Sequence, residues 1–283
     1  MPSAALARSA DARTILFVPG DRPERFDKGW SSPADALILD LEDAVLPERK
    51  AQARAEVARW LSPARPVWIR CNAVGTDWFE QDMELATRPG IAGVMLPKAE
   101  AIPAELAAVV SRSGIPIIPL IETAEGLHRA LDTARSAGVL RLAFGSIDFQ
   151  VDLGLDGEDD ALLFARSQLV MVSRLAGIGR PLDGVTADVQ NHALLRGDAL
   201  RARRLGFGGK LCIHPSQIQT VHDCLAPTAG EREWAERVLA AVRDGAPGAT
   251  TVDGKLVDFP VVKKAEQIMK MAAAFGLGAG LPH

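Results

Sequence analysis

The chain has 283 residues, of which 48% are hydrophobic and 24% are charged, and its formal net charge is −4. This composition is typical of a folded globular protein and excludes a disordered chain. A net negative charge argues against nucleic acid as a partner, because phosphate binding needs a concentrated basic face. No run approaches the ~18 apolar residues that span a bilayer, so we expect no membrane partner either.

Cysteine usage and the start of the chain point to a cytoplasmic protein. Cys71, Cys212 and Cys224 lack metal-binding spacing, and their odd number leaves no complete set of disulfides. We therefore expect reduced cysteines that serve as packing residues. Residues 1–13 lack the apolar core of a secretory signal and are predicted to be a frayed terminus.

Short apolar runs alternate with helix-length segments along most of the chain. The runs are Thr14–Val18, Ala36–Leu41, Val67–Arg70, Gly93–Leu96, Ile115–Ile121, Leu140–Phe144, Leu182–Val185 and Lys210–Ile213. Each run is nearly continuously apolar, as expected for parallel strands covered on both faces. Eight such alternations predict an α/β fold, the (β/α)8 TIM barrel, with a doubly wound sheet as the alternative.

The segments between and after the runs predict helices and a hairpin. Pro47–Leu61 and Asp160–Ala176 are the clearest helices of the barrel. Beyond the eighth run, helices are predicted over Gly230–Arg243 and Val261–Ala274, and the Asp253-Gly254 pair between them indicates a tight hairpin turn. We predict a catalytic barrel over residues 1–225 and a C-terminal extension over residues 226–283, both in the same structural unit.

Charged residues follow the predicted strands at the ends where barrel enzymes carry their active sites. Glu42 and Asp43 follow the second run, Arg70 ends the third, Glu122 follows the fifth and Asp148 follows the sixth. Charges beside a barrel interior are costly unless they are paired or coordinate a metal. Glu122 and Asp148, with waters and substrate oxygens, suit Mg²⁺, whereas the absence of a His–Cys cluster disfavours zinc.

The sequence allows two interpretations of Arg70. Its guanidinium could bind a substrate carboxylate or a developing alkoxide. It could equally form an ordinary ion pair with Glu42 or Asp43. The neighbouring pair of predicted metal ligands favours the functional reading.

Ten segments in order resemble the citrate lyase β-subunit and malyl-CoA lyase family of the HpcH/HpaI aldolase superfamily. They are FVPGDRPERFDK, LILDLEDAV, WIRCNA, VMLPKAE, IPLIETAEGL, RLAFGSIDF, ARSQLV, DGVTADV, GFGGKLCIHPSQI and VDGKLVDFPVV. They extend from about residue 13 to residue 270. A single motif such as LEDAV would be weak evidence, but ten in the family's order are specific.

The resemblance implies roles for the strand-end residues. Glu122 and Asp148 match the family's Mg²⁺ ligands, with Mn²⁺ as a possible substitute. Arg70 matches the arginine that binds the 2-oxo acid and stabilises charge on its reacting oxygen. Glu42 and Asp43 match an acidic pair that holds metal-bound waters and orients Arg70.

The resemblance also implies a coenzyme A site and an oligomer. Phe17, Arg22 and Lys28 match positions that contact coenzyme A. Asp258 matches an acid–base residue that the C-terminal extension delivers to a neighbouring subunit, and family members with this extension are commonly homotrimers.

The implied activity is that of a Mg²⁺-dependent carbon–carbon lyase or synthase. It cleaves a 3-hydroxyacyl-CoA of the malyl-CoA or citramalyl-CoA type into a 2-oxo acid and an acyl-CoA. A citrate lyase β subunit, which acts on an acyl group held by a carrier protein, is one alternative. A thioesterase that releases free coenzyme A is the other.

Three further residues receive weaker expectations. Lys98 is predicted to pack at its strand end or to contact the thioester, without a catalytic role. His214 is predicted to be a structural residue beside Pro215, or a contact of the thioester. His222 is predicted to be a surface or core residue without partners.

Overall fold

The computed structural model describes residues 11–157, 159–244 and 251–277. The chain divides between Leu225 and Ala226 into two compact units. The first unit is a closed barrel in which every strand pairs in parallel with the next, and the eighth strand pairs with the first. This confirms the predicted (β/α)8 barrel and excludes the doubly wound sheet. Most of the predicted frayed terminus lies outside the described residues.

The barrel strands are β1 (Thr14–Pro19), β2 (Ala36–Asp40), β3 (Val67–Arg70), β4 (Ile91–Leu96), β5 (Ile117–Ile121), β6 (Arg141–Phe144), β7 (Gly179–Asp183) and β8 (Gly209–Cys212). The helices of this unit are α1 (Phe26–Trp30), α2 (Lys50–Trp60), α3 (Phe79–Ala86), α4 (Ala104–Ser113), α5 (Ala124–His128), α6 (Ala130–Arg135), α7 (Ser146–Leu153), α8 (Asp159–Ala176), α9 (His192–Leu205) and α10 (Ile218–Leu225). Short 3₁₀ turns lie at Pro23–Arg25, Pro47–Arg49 and Pro215–Gln217.

The barrel interior is filled by apolar side chains from every strand. The interior cluster comprises Ala12, Ile15, Ile38, Trp68, Met95, Ile118, Leu120, Ala143, Leu182 and Leu211. Residues between these positions, such as Leu37 and Leu39, point outward and are buried as well. Burial on both faces explains why each strand appears in the sequence as a continuous apolar run.

The seventh strand differs from its prediction. It spans Gly179–Asp183, whereas the apolar pattern predicted Leu182–Val185. The apolar pattern does not include the start of this strand, because Gly179 and Arg180 are not apolar side chains. The pairing of β6 with β7 is also irregular between Arg141 and Ala143, so tertiary pairing sets this strand rather than its own composition.

Charged groups near the amino-terminal ends of the strands hold the fold together. The buried Arg141 donates from Nη1 to the Ala12 carbonyl at 2.7 Å and from Nε to the Arg180 carbonyl at 2.8 Å. His222 Nε2 lies 2.9 Å from Thr14 Oγ1 and 3.1 Å from Asp35 Oδ2. The prediction that His222 has no partners is therefore wrong, because the fold brings α10 beside the start of β1.

The second unit has a small core of its own. Its elements are α11 (Ala229–Asp244), the hairpin strands β9 (Thr251–Val252) and β10 (Lys255–Leu256), and α12 (Phe259–Ala274). Its core comprises Ala235, Val238, Val257, Ala265, Ile268 and Met269. The hairpin prediction is confirmed, since Asp253 and Gly254 both have positive φ, at 52° and 73°, as its tight turn requires.

The three cysteines and the hydropathy of the helices relate to two of the predictions. Cys71, Cys212 and Cys224 are free and buried, which confirms the prediction that they are packing residues. Burial raises the pKa of the Cys212 thiol to about 12. Within the described residues, no helix is long and apolar enough to cross a lipid bilayer.

Candidate active site

Arg70 ends β3, and its guanidinium lies between the carboxylates of Asp40 and Glu42. It donates from Nε and Nη2 to the two carboxylate oxygens of Asp40, at 2.7 and 2.6 Å. Its Nη1 lies 3.0 Å from Glu42 Oε2, and its guanidinium lies 4.9 Å from the ring centroid of Phe17. Burial opposes the charge of Arg70, but the two carboxylates outweigh burial and raise its pKa. The guanidinium is therefore a fixed positive charge.

The partner of Arg70 differs in part from the prediction. Glu42 contacts it as expected, but the bidentate partner is Asp40, a buried residue that the sequence reading did not single out. Asp43 is 56% exposed and lies 3.8 Å from Lys98 Nζ. The charge of Asp43 helps to raise the pKa of Arg70 from a distance, without a hydrogen bond between the two side chains.

Glu122 follows β5 and is almost completely buried, at 1% exposure. Its Oε1 accepts a hydrogen bond from the backbone N–H of Lys98 at 2.7 Å, whereas its Oε2 is buried without a hydrogen-bond partner. Burial, then the charges of Glu42 and Asp148, raise the pKa of Glu122 to about 8. Burying a carboxylate oxygen without a hydrogen-bond partner costs free energy. The unpaired oxygen therefore indicates that a ligand binds at this point.

Lys98 connects the acidic groups of two strand ends. Its Nζ donates to Glu42 Oε1 at 2.7 Å while its backbone N–H holds Glu122. Its φ is 46°, in the left-handed region that non-glycine residues rarely adopt. Strained backbone of this kind is typical of functional sites, where neighbouring structure holds it in place. Lys98 is thus a positioning element of the site and not only a packing residue.

Asp148 lies in the first turn of α7, which begins directly after β6. It lines a cavity of about 70 Å³ together with Arg70, Glu122 and Ser146. Ser146 is 2% exposed, and its Oγ has no hydrogen-bond partner. The structure therefore brings the two predicted metal ligands and the predicted arginine to one cavity at the carboxyl ends of the strands.

The residues of this cavity fit a divalent cation. Glu122 supplies an unpaired buried oxygen, and the Asp148 charge acts on it. A side chain at Gly145 would collide with Glu122 Oε2, so glycine keeps the approach to this oxygen open. Among the described residues, no three His, Cys, Asp or Glu side chains form a metal-binding group. Two carboxylates suit Mg²⁺, which keeps several waters and takes few protein ligands.

A larger cavity of about 430 Å³ lies beside the first, and Phe17 lines both. Lys28, one of the predicted coenzyme A contacts, lines the larger cavity. Arg22 is 48% exposed, lies 3.8 Å from Asp21 and is not among the residues that line this cavity. Arg25, one turn further along, lines it instead and was not singled out from the sequence.

Asp258 lies in the second unit, at the amino-terminal end of α12. Its carboxylate accepts a hydrogen bond from the Val261 backbone N–H at 3.1 Å and so caps the helix. Its side chain is exposed, and the nearby Leu256 and Phe259 are 58% and 63% exposed, whereas Val257 between them is buried. An exposed carboxylate among exposed apolar side chains is available to another surface.

A closed parallel barrel with buried acidic and basic groups at the carboxyl ends of its strands defines a (β/α)8-barrel enzyme. The chain belongs to the HpcH/HpaI aldolase/citrate lyase family, whose model matches residues 13–215.

Two similar proteins have names that state an activity. The citrate lyase subunit beta of Escherichia coli K12 is 33% identical over 94% of this chain and 94% of its own length. The mitochondrial citramalyl-CoA lyase of Mus musculus is 29% identical over 93% of this chain and 86% of its own length.

A solved structure of similar shape carries ligands. The Mycobacterium tuberculosis protein CitE, in complex with magnesium, acetoacetate and coenzyme A, superposes with a TM-score of 0.82. The two chains are 35% identical, and the match covers 94% of this chain and 99% of that one.

Proposed function

We propose that the protein is a Mg²⁺-dependent carbon–carbon lyase that cleaves a 3-hydroxyacyl-CoA of the malyl-CoA or citramalyl-CoA type. The products are a 2-oxo acid and an acyl-CoA, and the same site runs the reverse synthesis. The observation that carries the proposal is the buried, unpaired Glu122 Oε2, which shares a cavity with Arg70 and Asp148. The names of the relatives and the ligands of the similar structure support the same reading.

Glu122 and Asp148 would hold the divalent cation, with Mn²⁺ as a possible substitute. A cation there supplies a Lewis acid and a template for an oxo acid. Arg70, held rigidly by Asp40 and Glu42, offers a fixed positive charge to the oxygen that gains charge during cleavage. Pre-oriented charge of this kind is usually the largest catalytic contribution. Glu42 and Asp43 act through Arg70 and Lys98.

Cleavage requires that the substrate hydroxyl lose a proton and that the α-carbon of the thioester product gain one. The substrate hydroxyl loses its proton, and the C–O bond becomes the carbonyl of the 2-oxo acid. The electron pair of the broken C–C bond passes to the α-carbon of the thioester, which then takes up a proton. We assign the acid–base role to Asp258 of a neighbouring subunit, because an exposed carboxylate can serve as a proton carrier.

The larger cavity is the candidate coenzyme A site. Its walls are mainly apolar, and Lys28 adds a positive charge that suits a phosphate group. Phe17 lies between this cavity and the acidic one, so a thioester bound here could extend towards Arg70. Arg22 is exposed nearby and could meet a phosphate outside the cavity.

A citrate lyase β subunit is the second candidate, favoured by the similarity to the Escherichia coli subunit of that name. Such a protein would act on an acyl group attached to a carrier protein within a larger complex. A thioesterase remains the third reading, since an enolate formed at this site could lead to thioester hydrolysis.

The deciding experiment is product analysis by mass spectrometry. Purified protein with Mg²⁺ is incubated with malyl-, methylmalyl- and citramalyl-CoA. A 2-oxo acid with an acyl-CoA is the expected result. Free coenzyme A with an intact hydroxy acid would move the assignment to a thioesterase, and no product from any substrate would favour the carrier-dependent subunit.

We also propose that the protein is a cytoplasmic homotrimer with residues 226–283 covering a neighbour's active site. Three free buried cysteines support a reducing compartment. Exposed apolar side chains on α8, namely Phe164 at 73%, Met171 at 58% and Leu175 at 59%, support a protein interface. Their spacing places them on one face of that helix.

A further inference from the structure

The buried face of α2 contains one charged side chain to which the proposed function gives no role. This face comprises Lys50, Ala53 and Val57, whose spacing places them on one side of the helix. A lysine is rarely buried, because taking an ammonium group out of water costs free energy. Lys50 is only 6% exposed, so its partners must offset this cost.

The partners of Lys50 lie where the chain leaves β2. Its Nζ donates to the Leu41 carbonyl at 2.9 Å and to the Glu42 carbonyl at 2.8 Å. The same ammonium lies 5.2 Å from the ring centroid of Trp78, within the range of a cation–π contact. The Glu42 carbonyl also accepts from the Val45 N–H at 2.9 Å, but this contact stays inside the loop. Lys50 therefore ties the loop backbone to α2.

The loop that Lys50 holds carries Glu42, whose side chain joins two basic groups of the site. Glu42 Oε2 lies 3.0 Å from Arg70 Nη1, and Glu42 Oε1 accepts from Lys98 Nζ at 2.7 Å. The backbone N–H of Glu42 donates to Asp40 Oδ1 at 3.0 Å. The main chain at Glu42 is thus fixed from two sides, by Asp40 at its N–H and by Lys50 at its carbonyl.

We infer that Lys50 is a positioning residue of the lyase reaction, which fixes the backbone at Glu42 so that Glu42 holds Arg70 in place. This inference rests on the proposed function, because Arg70 stabilises a developing charge only in that reaction. Lys50 lines neither cavity, so it acts through Glu42 and not on the substrate. A displacement of about 1 Å at a charge-stabilising group is enough to slow a reaction about 100-fold.

A cation suits this position better than a neutral donor. Burial lowers the pKa of Lys50, and the charges of four nearby carboxylates oppose this effect. These carboxylates are Asp40, Glu42, Asp43 and Asp82. A positive charge behind the loop offsets part of the negative charge that gathers around Arg70. A conservative cationic replacement should therefore restore more function than an apolar one.

Three substitutions separate positioning from packing. Lys50→Met keeps most of the side-chain length and can still pack on Trp78, but it donates no hydrogen bond. Lys50→Arg restores a cationic donor and is the rescue variant. Val57→Ala, at a fully buried position on the same face of α2, is the matched control. It removes packing and leaves both hydrogen bonds of Lys50 intact.

Isothermal titration of Mg²⁺-loaded protein with two probes gives an equilibrium readout. Oxalate probes the acidic cavity, because it chelates a divalent cation as a 2-oxo acid does, and coenzyme A probes the larger cavity. We expect Lys50→Met to weaken oxalate about tenfold, comparable to the loss of one hydrogen bond, and to bind coenzyme A like the wild type. Lys50→Arg should recover part of the oxalate affinity.

Turnover provides the second readout. Lys50→Met should lower kcat by about 10- to 100-fold with little change in KM for the thioester, because Arg70 is displaced and the larger cavity is not. Lys50→Arg should recover part of kcat. Val57→Ala should unfold at a lower temperature than the wild type, yet keep the wild-type kcat and both affinities.

The contrary outcomes distinguish this inference from the proposed function. Wild-type oxalate affinity and kcat in Lys50→Met would disprove the inference and leave the proposed function standing. Equal losses for oxalate and coenzyme A would also disprove it, because they would indicate a general loss of structure. A wild-type protein that binds neither probe would overturn the proposed function and the inference with it. Lys50→Gln, which keeps a polar donor in the buried site, replaces Lys50→Met under the same criteria if that variant does not fold.

Discussion

Glu122 combines burial, an unpaired oxygen and two neighbouring negative charges in one side chain. These raise its pKa from 4.5 to about 8. A carboxyl group whose folded pKa is raised favours the folded state below its unfolded pKa, and this contribution is lost as the pH rises through the folded value. The loss between pH ~4.5 and ~8 is on the order of 4 kcal/mol, at about 1.4 kcal/mol for each tenfold change.

We therefore predict that Mg²⁺ stabilises the protein more at pH 8.5 than at pH 6. At the higher pH the ionised Glu122 is unfavourable without a cation, and an ion that binds only the folded state relieves this cost. Thermal unfolding with and without MgCl₂ at both pH values measures the effect. Glu122→Gln, which retains the acceptor for Lys98 N–H, should abolish it. Glu125→Gln, at a half-exposed glutamate of α5, should not. A Mg²⁺ shift that persists in Glu122→Gln would remove Glu122 from the metal site.

Asp258 has a structural role and a proposed chemical role, and one pair of substitutions distinguishes them. Asp258→Asn should keep the cap of α12, because asparagine caps a helix as well as aspartate. It should lower kcat at least about 100-fold, since it cannot exchange a proton. Asp258→Ala should show the same loss and also reduce stability by ~1 kcal/mol.

Steady-state kinetics and thermal unfolding of both variants provide the measurements. Asp253→Asn, an exposed aspartate of the same unit, is the control and should behave as the wild type. If Asp258→Asn turned over substrate normally, the acid–base role would have to be assigned elsewhere.

At the scale of secondary-structure elements, Asp35 joins β1, β2 and α10 at the amino-terminal end of the barrel. Its carboxylate accepts hydrogen bonds from the backbone N–H groups of Arg13 and Thr14, at 2.8 and 3.1 Å, and pairs with Arg13 Nη2 and His222 Nε2. Burial opposes its charge, but the contacts with His222 and Arg13 outweigh burial and hold its pKa well below the usual range.

The stability from Asp35 is predicted to be sensitive to acid. A group with a depressed folded pKa contributes stability above its unfolded pKa, and the contribution is lost as the pH falls below it. Asp35→Asn should cost about 2 kcal/mol at pH 7, as expected for a charged hydrogen-bonded group. The difference from the wild type should be constant above pH ~5 and shrink below pH ~4.

Urea unfolding followed by tryptophan fluorescence between pH 7 and pH 3.5 measures this difference. Asp156→Asn, at an exposed loop aspartate, should show no effect at any pH. A cost for Asp35→Asn that stays the same at pH 3.5 would show that the cluster acts through packing rather than charge.

The strands and the residues at their ends show which parts of the fold and of the site could be predicted from the sequence. Continuous apolar runs located the barrel strands, and charges after the runs located Arg70, Glu122 and Asp148, because strand ends meet at one edge of a barrel. Asp40 was missed because it lies inside the run ALILDL and reads as a strand interior. Its pairing with Arg70 depends on the register of β2 against β3, which no local pattern reveals.

The positioning role of Lys98 was missed for a different reason. Its role depends on a positive φ and on a side chain that crosses to Glu42, and a sequence shows neither of these. Arg22 and Arg25 are only three residues apart in the same segment before Lys28, so sequence alone could not tell which arginine lines the cavity. Such choices depend on the direction of individual side chains rather than on residue type.

At the scale of the whole molecule, the proposed site needs residues from two chains. If Arg70 and Asp258 of one site come from different subunits, two inactive variants should complement each other. Arg70→Met and Asp258→Asn would each be inactive alone, because every site in either homotrimer lacks one of the two groups. In a mixed trimer some sites receive both intact residues.

Equal amounts of the two variants, unfolded together and refolded or co-expressed, should recover about a quarter of wild-type activity. In a ring of subunits, a site is complete when one subunit carries the intact Arg70 and its neighbour the intact Asp258, and each condition holds about half of the time. Sedimentation analysis establishes that the mixed species is a trimer. Variants mixed without unfolding are the control and should stay inactive while exchange is slow. Persistent inactivity of verified mixed trimers would mean that Asp258 serves the barrel of its own chain or serves no site, and the shared active site would be abandoned.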